Sequence, residues 1–469
     1  MNIRFSALDY TAGDSFEHAE YEFKGNTKGG WAILRNGSEY LRLGPGYRLL
    51  RVELCGVCAT DLSRRFLPFP LPQVLGHEVV AADPETGVRF VVEINDTHAA
   101  RGETSQDPFC NNGLPTHCPD RMVLGIDRLP GGFGPYILAP VHAAIPVGAL
   151  SPRTAVLVEP FAAALHAVRS SPPRDGDSVA VLGPRRLGLL LIAALRAHQR
   201  DANVKIRITA LGRHEELLGI AREMGADLAI NIDHAAPRSM AESFDIVYDT
   251  TGSMEGFKSA LVFSRRELHL KSTNGKDFHG LRHLTELVVD ELSILPRSRE
   301  SMGFHWENED RVNEWAYVAP AASSAGIPHE IASFQGGFGA AEEFLRSERF
   351  ASRLPRFDLG FASNLEEIDR IIRPAASHER SLVRPRGAIL FRGDPGSHPL
   401  LKFIASGRVL RSSRCGDFSR AISLLEGNPD IAGLLGNRMI THSFPVERLP
   451  EAFAAARGRD AIKVVVSHG

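Results

Sequence analysis

The chain has 469 residues, 43% of them hydrophobic, so it can bury more than one core, and its length sets an expectation of two to four domains. Lys and Arg number 54 against 56 Asp and Glu, a formal charge of −2. No long-range field then draws in nucleic acid or an acidic membrane, and small molecules are the expected partners.

The N-terminus lacks a basic stretch followed by an apolar core, and the longest apolar run, "LGLLLIAAL" at 187–195, is less than half of the roughly 20 residues a membrane span needs. A cytoplasmic protein is the expectation. Five cysteines, Cys55, Cys58, Cys110, Cys118 and Cys415, are few and odd in number, which in a reducing compartment favours metal or catalytic use over disulfides.

Residues 30–150 are punctuated by Gly and Pro and carry "YRLLRVEL", "GVRFVVEI" and "GPYILAPV", runs that favour strands. From 151, "SPRTAVLVEPFAAALHAVRS" opens on Ser-Pro with helical apolar spacing and predicts a helix. "DSVAVLGPRRLGLLLIAALRAHQ" and "VKIRITALGRHEELLGIAREMGADLAIN" each read as strand, turn and helix, and "FDIVYDTTGS", "MEGFKSALVF" and "RELHLKST" as strand, helix and strand. This alternation predicts a parallel sheet with helices on its faces. "FDLGFASNLEEIDRI" from 357 echoes the segment from 244, and "RGAILFRG" from 386 echoes "RELHLKST". Either the chain is partly duplicated here, or this is the ordinary likeness of any two strand–helix–strand units. Between them, 296–356 is too rich in aromatics and helical pattern for a disordered linker and predicts a folded insertion. The tail, "ITHSFPVERLPEAFAAARGRDAIKVVV", predicts a helix and a closing strand.

A catalytic zinc takes three protein ligands from Cys, His and carboxylate and keeps a fourth position open. Cys58, His77 and Glu159 are such a set; taken singly, each reads as well as a buried cysteine, a hydrogen-bonded core histidine and a helix N-terminal acid. "GVCATD", "GHE" and "VEP" occur in this order, the last leading into a dinucleotide-type pattern. On these motifs the chain resembles the zinc-containing alcohol dehydrogenases of the medium-chain dehydrogenase/reductase superfamily, in the sorbitol and threonine dehydrogenase-like branch, over most of residues 30–295 and 405–469. The resemblance implies an α/β protein with three parts. A GroES-like β-barrel catalytic domain spans 1–171 and is completed by 421–469. A Rossmann cofactor domain with a doubly wound parallel sheet spans 172–295, and an inserted segment, 296–420, rejoins it with the partial duplication.

The same resemblance places a catalytic zinc on Cys58, His77 and Glu159, with Glu78 as a further carboxylate near the metal that exchanges with water or with Glu159. Thr60 matches the hydroxyl that passes the substrate proton, and Asp61 the carboxylate that orients the ligand histidine. Many relatives carry a histidine three residues after that hydroxyl, where this chain has Ser63, which leaves the outer relay open. Cys110 and Cys118 match the last two cysteines of the family's structural zinc lobe, C-x2-C-x2-C-x7-C, but Thr104 and Asp107 stand at the first two positions. One catalytic zinc and no structural zinc is therefore the expectation.

The turn after the first strand of the parallel-sheet pattern reads Gly183-Pro184-Arg185-Arg186-Leu187-Gly188. A G-x-G-x-x-G fingerprint puts its middle glycine where the backbone approaches pyrophosphate, so Arg185 either clasps a phosphate or blocks the cofactor. The next strand ends at Gly212-Arg213, where NAD-preferring relatives carry an acid for the ribose hydroxyls. A guanidinium in its place favours NADP(H) over NAD(H), with His214 assisting; the alternative is an exposed turn of ordinary charges. "DTTGS" at 249–253 resembles the segment beside the nicotinamide, with Asp249, Thr251 and Gly252 as cofactor-lining candidates.

The implied function is zinc-dependent interconversion of an alcohol and an aldehyde or ketone with NADP(H), in a homodimer or homotetramer. Arg185, the missing lobe cysteines and the insertion motivate the alternative, a family member acting as a binding or regulatory protein. Phe66, Phe69, Phe304 and Trp306 are candidate pocket walls, or plain packing.

Overall fold

The computed structural model of the chain describes residues 1–104, 107–111, 113–234, 240–272, 275–297, 315–319, 332–335, 356–373 and 381–469. Phe304 and Trp306 lie outside the described residues. Two compact units form, one from Met1–Ala162 with Gly416–Gly469, the other from Ala163–Cys415.

The first unit opens with an antiparallel meander, β1 (Asn2–Tyr10), β2 (Phe16–Asn26), β3 (Gly30–Arg35) and β4 (Ser38–Leu43), in that spatial order. Strand structure thus begins well before residue 30, where the sequence texture suggested it. The reason is a period-two pattern that buries Ala19, Tyr21 and Phe23 on one face of β2 and leaves Glu20 and Lys24 in water.

A second sheet runs β11 (Ala144–Pro146), β7 (Arg89–Val92), β6 (Glu78–Ala82), β5 (Tyr47–Val57), β24 (Lys463–Ser467) and β23 (Ile440–Pro445), with β10 (Tyr136–Pro140) also on β5. β8 (Asn95–Asp96) and β9 (Met122–Val123) pair separately. The closing strand β24 lies antiparallel to β5, with Val464 opposite Val57 and Ser467 opposite Leu54. Val464, Val466, Val57 and Cys55 join Phe133 and Phe453 in one core. The single helix predicted from 151 is two: Pro152–Ala155, capped by Ser151, and Val158–Ser170.

Among the described residues the second unit holds one eleven-stranded sheet with its helices. Its strands are β12 (Ser178–Leu182), β13 (Arg207–Gly212), β14 (Leu228–Asn231), β15 (Phe244–Asp249), β16 (Ser264–Leu270) and β17 (Ser293–Pro296), followed by β18 (Trp315–Ala319), β19 (Ala332–Gln335), β20 (Phe357–Ala362), β21 (Val383–Phe391) and β22 (Val409–Ser412). They lie in the order β14-β13-β12-β15-β16-β22-β17-β21-β20-β18-β19. Every neighbouring pair is parallel except β17 with β22. Residues of the expected insertion, 296–420, therefore extend the sheet of the cofactor-type strands. Parallel strands covered on both faces read as unbroken apolar runs, as in Val179–Leu182, and helix Arg186–Asp201 buries Leu189–Leu195. Among the described residues no helix is long and apolar enough to cross a membrane.

Candidate metal centre and nucleotide turn

β5 ends at Val57, and Cys58 caps a one-turn helix, Ala59–Leu62, with extended backbone. Asp61, in that turn, is buried and works in two directions: Oδ2 accepts from the Cys58 amide at 2.8 Å, and Oδ1 faces His77 Nδ1 at 3.3 Å. With Nδ1 held by a carboxylate, Nε2 is the ring nitrogen left for a metal. Burial works to lower the His77 pKa, but Asp61 and Cys58 outweigh it and raise the value well above that of a free histidine. Thr60 Oγ1 stands 3.8 Å from Cys58 Sγ, and Ser63, exposed, ends the helix.

β6 opens on Glu78 directly opposite Gly56 of β5. A Cβ at position 56 would collide with Glu78 Oε2, so the glycine makes room for the carboxylate to lie beside Cys58. Ligand atoms of Cys58, His77 and Glu78 all lie within 4.8 Å of one another. Glu159 does not enter this group; it sits in the first turn of helix Val158–Ser170, where its charge acts on Lys463.

Lys463, at the head of β24, was not anticipated from sequence. Its Nζ pairs with Glu78 Oε2 and donates to Val57 O at 3.2 Å. Burial would lower its pKa, and Glu78, Cys58 and Glu159 more than offset that, so it is raised. A lone lysine opening the apolar run "KVVV" was the available signal.

Glu78 Oε1 is buried with no hydrogen-bond partner, an expense a fold bears when something else satisfies the oxygen. A thiol, an imidazole and a carboxylate at close range, with that oxygen free, fit a zinc ion. Cys55, three residues before Cys58, is fully buried and its thiol pKa is pushed up by burial, so it belongs to the core.

A second cluster lies in the lobe between β8 and β9. His98, Asp107, Cys110 and Cys118 bring one ligand atom each within 4.8 Å of the others. Helix His98–Arg101, capped by Thr97, delivers His98, whose Nδ1 lies 3.4 Å from Cys118 Sγ. Asp107 is braced by the amides of Phe109 at 3.0 Å and Cys110 at 3.2 Å. Burial, then Asp107, raises the Cys110 thiol pKa far above its usual value. Thr104 is exposed and is not in the group. The expectation of a single zinc rested on three donors here; His98 is a fourth, six residues before the pattern that defined the lobe.

In the second unit, Gly183 takes φ +90° after β12, and a Cβ at Gly188 would strike Gly183 O, so both glycines are needed to fold the turn. Arg185, at φ −110°, occupies the middle position without left-handed strain, half-buried, and Arg186 starts helix Arg186–Asp201. No side chain caps that helix and no acid stands in its first turn, which leaves its N-terminal amides suited to an anion. Gly212 packs close to Pro184, while Arg213 is exposed and paired with Asp233 at 3.3 Å; His214 caps the next helix through its backbone. Thr251 donates to Asp249 Oδ1 through its amide at 2.9 Å and hydroxyl at 2.7 Å, and Gly252 turns with φ +60°. Thr250, which sequence reasoning passed over, donates toward Leu182 O at 3.0 Å and Gly183 O at 2.8 Å, stitching this segment to the turn. Burial pushes the Asp249 pKa up to about 6.

The alcohol dehydrogenase GroES-like domain family matches residues 44–149. L-Galactonate-5-dehydrogenase of Escherichia coli is 28% identical over 262 residues, 49% of this chain and 75% of the relative. L-Threonine 3-dehydrogenase of Streptomyces avermitilis is 31% identical over 241 residues, 47% of this chain and 67% of the relative. A solved alcohol dehydrogenase of Thermotoga maritima shares the fold with TM-score 0.56 at 15% identity, covering 100% of each chain. Through the matched domain, the order of its motifs and these relatives, the chain belongs to the zinc-type medium-chain dehydrogenase superfamily.

Proposed function

We propose that the protein is an oxidoreductase that interconverts a small alcohol or polyol and its carbonyl counterpart with a nicotinamide cofactor, depends on zinc, and prefers NADP(H). The convergence of Cys58, His77 and Glu78, with a buried carboxylate oxygen left free, carries the reading. When bound, zinc supplies Lewis acidity that lowers the pKa of an alcohol enough for hydride to depart.

The chain's own residues do the rest. Asp61 fixes the Cys58 backbone and the His77 ring together, so that two ligands share one brace. Thr60, next to the thiol, takes the proton from the substrate hydroxyl, and Ser63 at the exposed helix end passes it to water. Lys463 balances the buried Glu78. The N-terminal amides of helix Arg186–Asp201, with no acid in the first turn to repel an anion, receive the pyrophosphate, with Arg185 beside them, and Arg213 meets a 2′-phosphate by exchanging its Asp233 partner.

Zinc content and reduced-nicotinamide absorbance over a panel of polyols and alcohols test the reading together. Cys58→Ala and His77→Ala are expected to lose both metal and turnover; a zinc-loaded protein inert across the panel would remove the enzymatic reading. Arg213→Ala should raise the KM for NADPH about tenfold, or ~1.4 kcal/mol, while sparing NADH. Equal KM changes for both cofactors would end the claim of preference. A binding or regulatory role, which Arg185 in the turn motivates, would instead show as zinc without nicotinamide binding at millimolar concentration.

We also propose that the lobe holds a second metal ion, on His98, Asp107, Cys110 and Cys118. Metal analysis should give two ions per chain, and one in His98→Ala; one ion in both proteins would return the count to the single zinc expected from sequence.

A further inference from the structure

Outward from its middle, the eleven-stranded sheet repeats itself. On one side β15, helix Met254–Phe263, β16, helix Leu284–Val289 and β17 follow one another in the chain; on the other side β20, helix Leu365–Ile372, β21, helix Pro399–Ala405 and β22 do the same. The first helix of each set is capped from the strand-end loop: Ser253 Oγ accepts from Gly256 at 3.0 Å, and Asn364 Oδ1 from Glu367 at 2.9 Å. In both sets the residue after the second strand returns its amide to the last carbonyl of the first, Lys271 to Asp249 at 2.9 Å and Arg392 to Ala362 at 3.0 Å. "FDIVYD" and "FDLGFA", the two opening strands, match at the first two positions.

The third strands are exchanged. β17, from the first set, runs parallel to β21 of the second, from Ser293 opposite Ala388 to Pro296 opposite Phe391. β22, from the second set, runs parallel to β16 of the first, from Glu267 opposite Val409 to Leu270 opposite Ser412. They meet antiparallel at Ile294 and Leu410, both fully buried. An antiparallel contact flanked by the same strands in reverse order is a local two-fold axis. Polar bonds cross it too: Ser412 Oγ donates to Leu292 O at 2.8 Å, and the buried Glu291 receives Arg386 at 2.8 Å and the Arg414 amide at 3.2 Å. The next strands outward agree, since β12 and then β13 follow β15 in parallel just as β18 and then β19 follow β20.

We propose that residues 244–296 and 357–412 are two copies of one unit, and that the second copy fills, inside the same chain, the seam at which such a half-sheet would otherwise pair with another molecule. A sheet ending at a single third strand exposes a row of unpaired amides and carbonyls, which invites a self-complementary partner. Here that partner is covalently attached, and the exchange locks each copy's last strand into the other's half. The seam forms at the effective concentration of one chain and is independent of how much protein is present. The inference rests on topology and stands apart from the dehydrogenase reading.

Hydrogen exchange on the unaltered protein at two concentrations a hundredfold apart tests the seam. Amides of Ser293–Pro296 and Val409–Ser412 should be equally protected at both; protection that falls on dilution would place the seam between molecules and overturn the proposal. The exchange itself is tested with the pairs Ser293→Cys with Ala388→Cys, and Glu267→Cys with Val409→Cys. Oxidation should close each bond within one chain, located by peptide mapping. A disulfide-linked dimer, or a folded variant in which the paired cysteines stay reduced, would refute it; the second pair, at half-exposed positions, reports even if the buried first pair impairs folding.

Discussion

Glu78 and Lys463 form a buried ion pair whose partners come from β6 and the last strand of the chain. Removing one charge leaves the other in a medium that cannot solvate it, so Lys463→Met should cost about 3–5 kcal/mol in chemical denaturation of the metal-free protein. Adding Glu78→Gln should recover a large part of that loss, which a double-mutant cycle measures. Asp249 gives a pH signature of the opposite kind. Its folded pKa, about 6, stands above its ordinary 3.8, so the folded state binds that proton more tightly. Its contribution to stability is present below about pH 4 and lost as the pH rises through 6. Asp249→Asn should therefore stabilise the protein little at pH 4 and increasingly up to pH 7; a flat difference would contradict this. At this scale the grouping of Cys58, His77 and Glu78 has a local sign in the sequence, since "GVCATD" and "GHE" carry all three in order. Lys463 and His98 were not, because each is a single residue whose meaning comes from a strand or helix that folding brings alongside. Glu159, which the resemblance places at the metal, stands outside the group formed by Cys58, His77 and Glu78, and its charge acts on Lys463.

A turn between strand and helix must pass close to its own backbone. Gly188→Ala would press a methyl against Gly183 O, at a cost of about 1–3 kcal/mol, and should weaken dinucleotide binding by opening the turn. Nicotinamide titration and thermal melting of this variant check both effects; unchanged binding would show that the turn is not where phosphate rests. The parallel strands β12, β13, β15 and β16 were readable because strand and helix periodicities alternate cleanly. The exchange of β17 and β22 was not. Both are short apolar segments after a helix, and nothing local says which half of the sheet each will join. The sequence echo between 244 and 357 hinted at kinship, yet the pairing that gives it consequence is tertiary.

In the whole molecule, metal and fold are coupled if both clusters are filled, since binding energy for ions held by folded residues adds to stability. Chelation should lower the melting temperature of the wild type more than that of His98→Ala; equal shifts would mean that the lobe draws no stability from an ion. The unit carrying Cys58, His77 and Glu78 draws its strands from both ends of the chain, with β24 seated between β5 and β23. A ribosome delivers β5 some four hundred residues before it delivers β24. Until residue 463 emerges, the nascent sheet lacks a central member and the Glu78 carboxylate lacks its ammonium. Arrested chains ending short of that point should remain open to protease across residues 47–146, however long they wait.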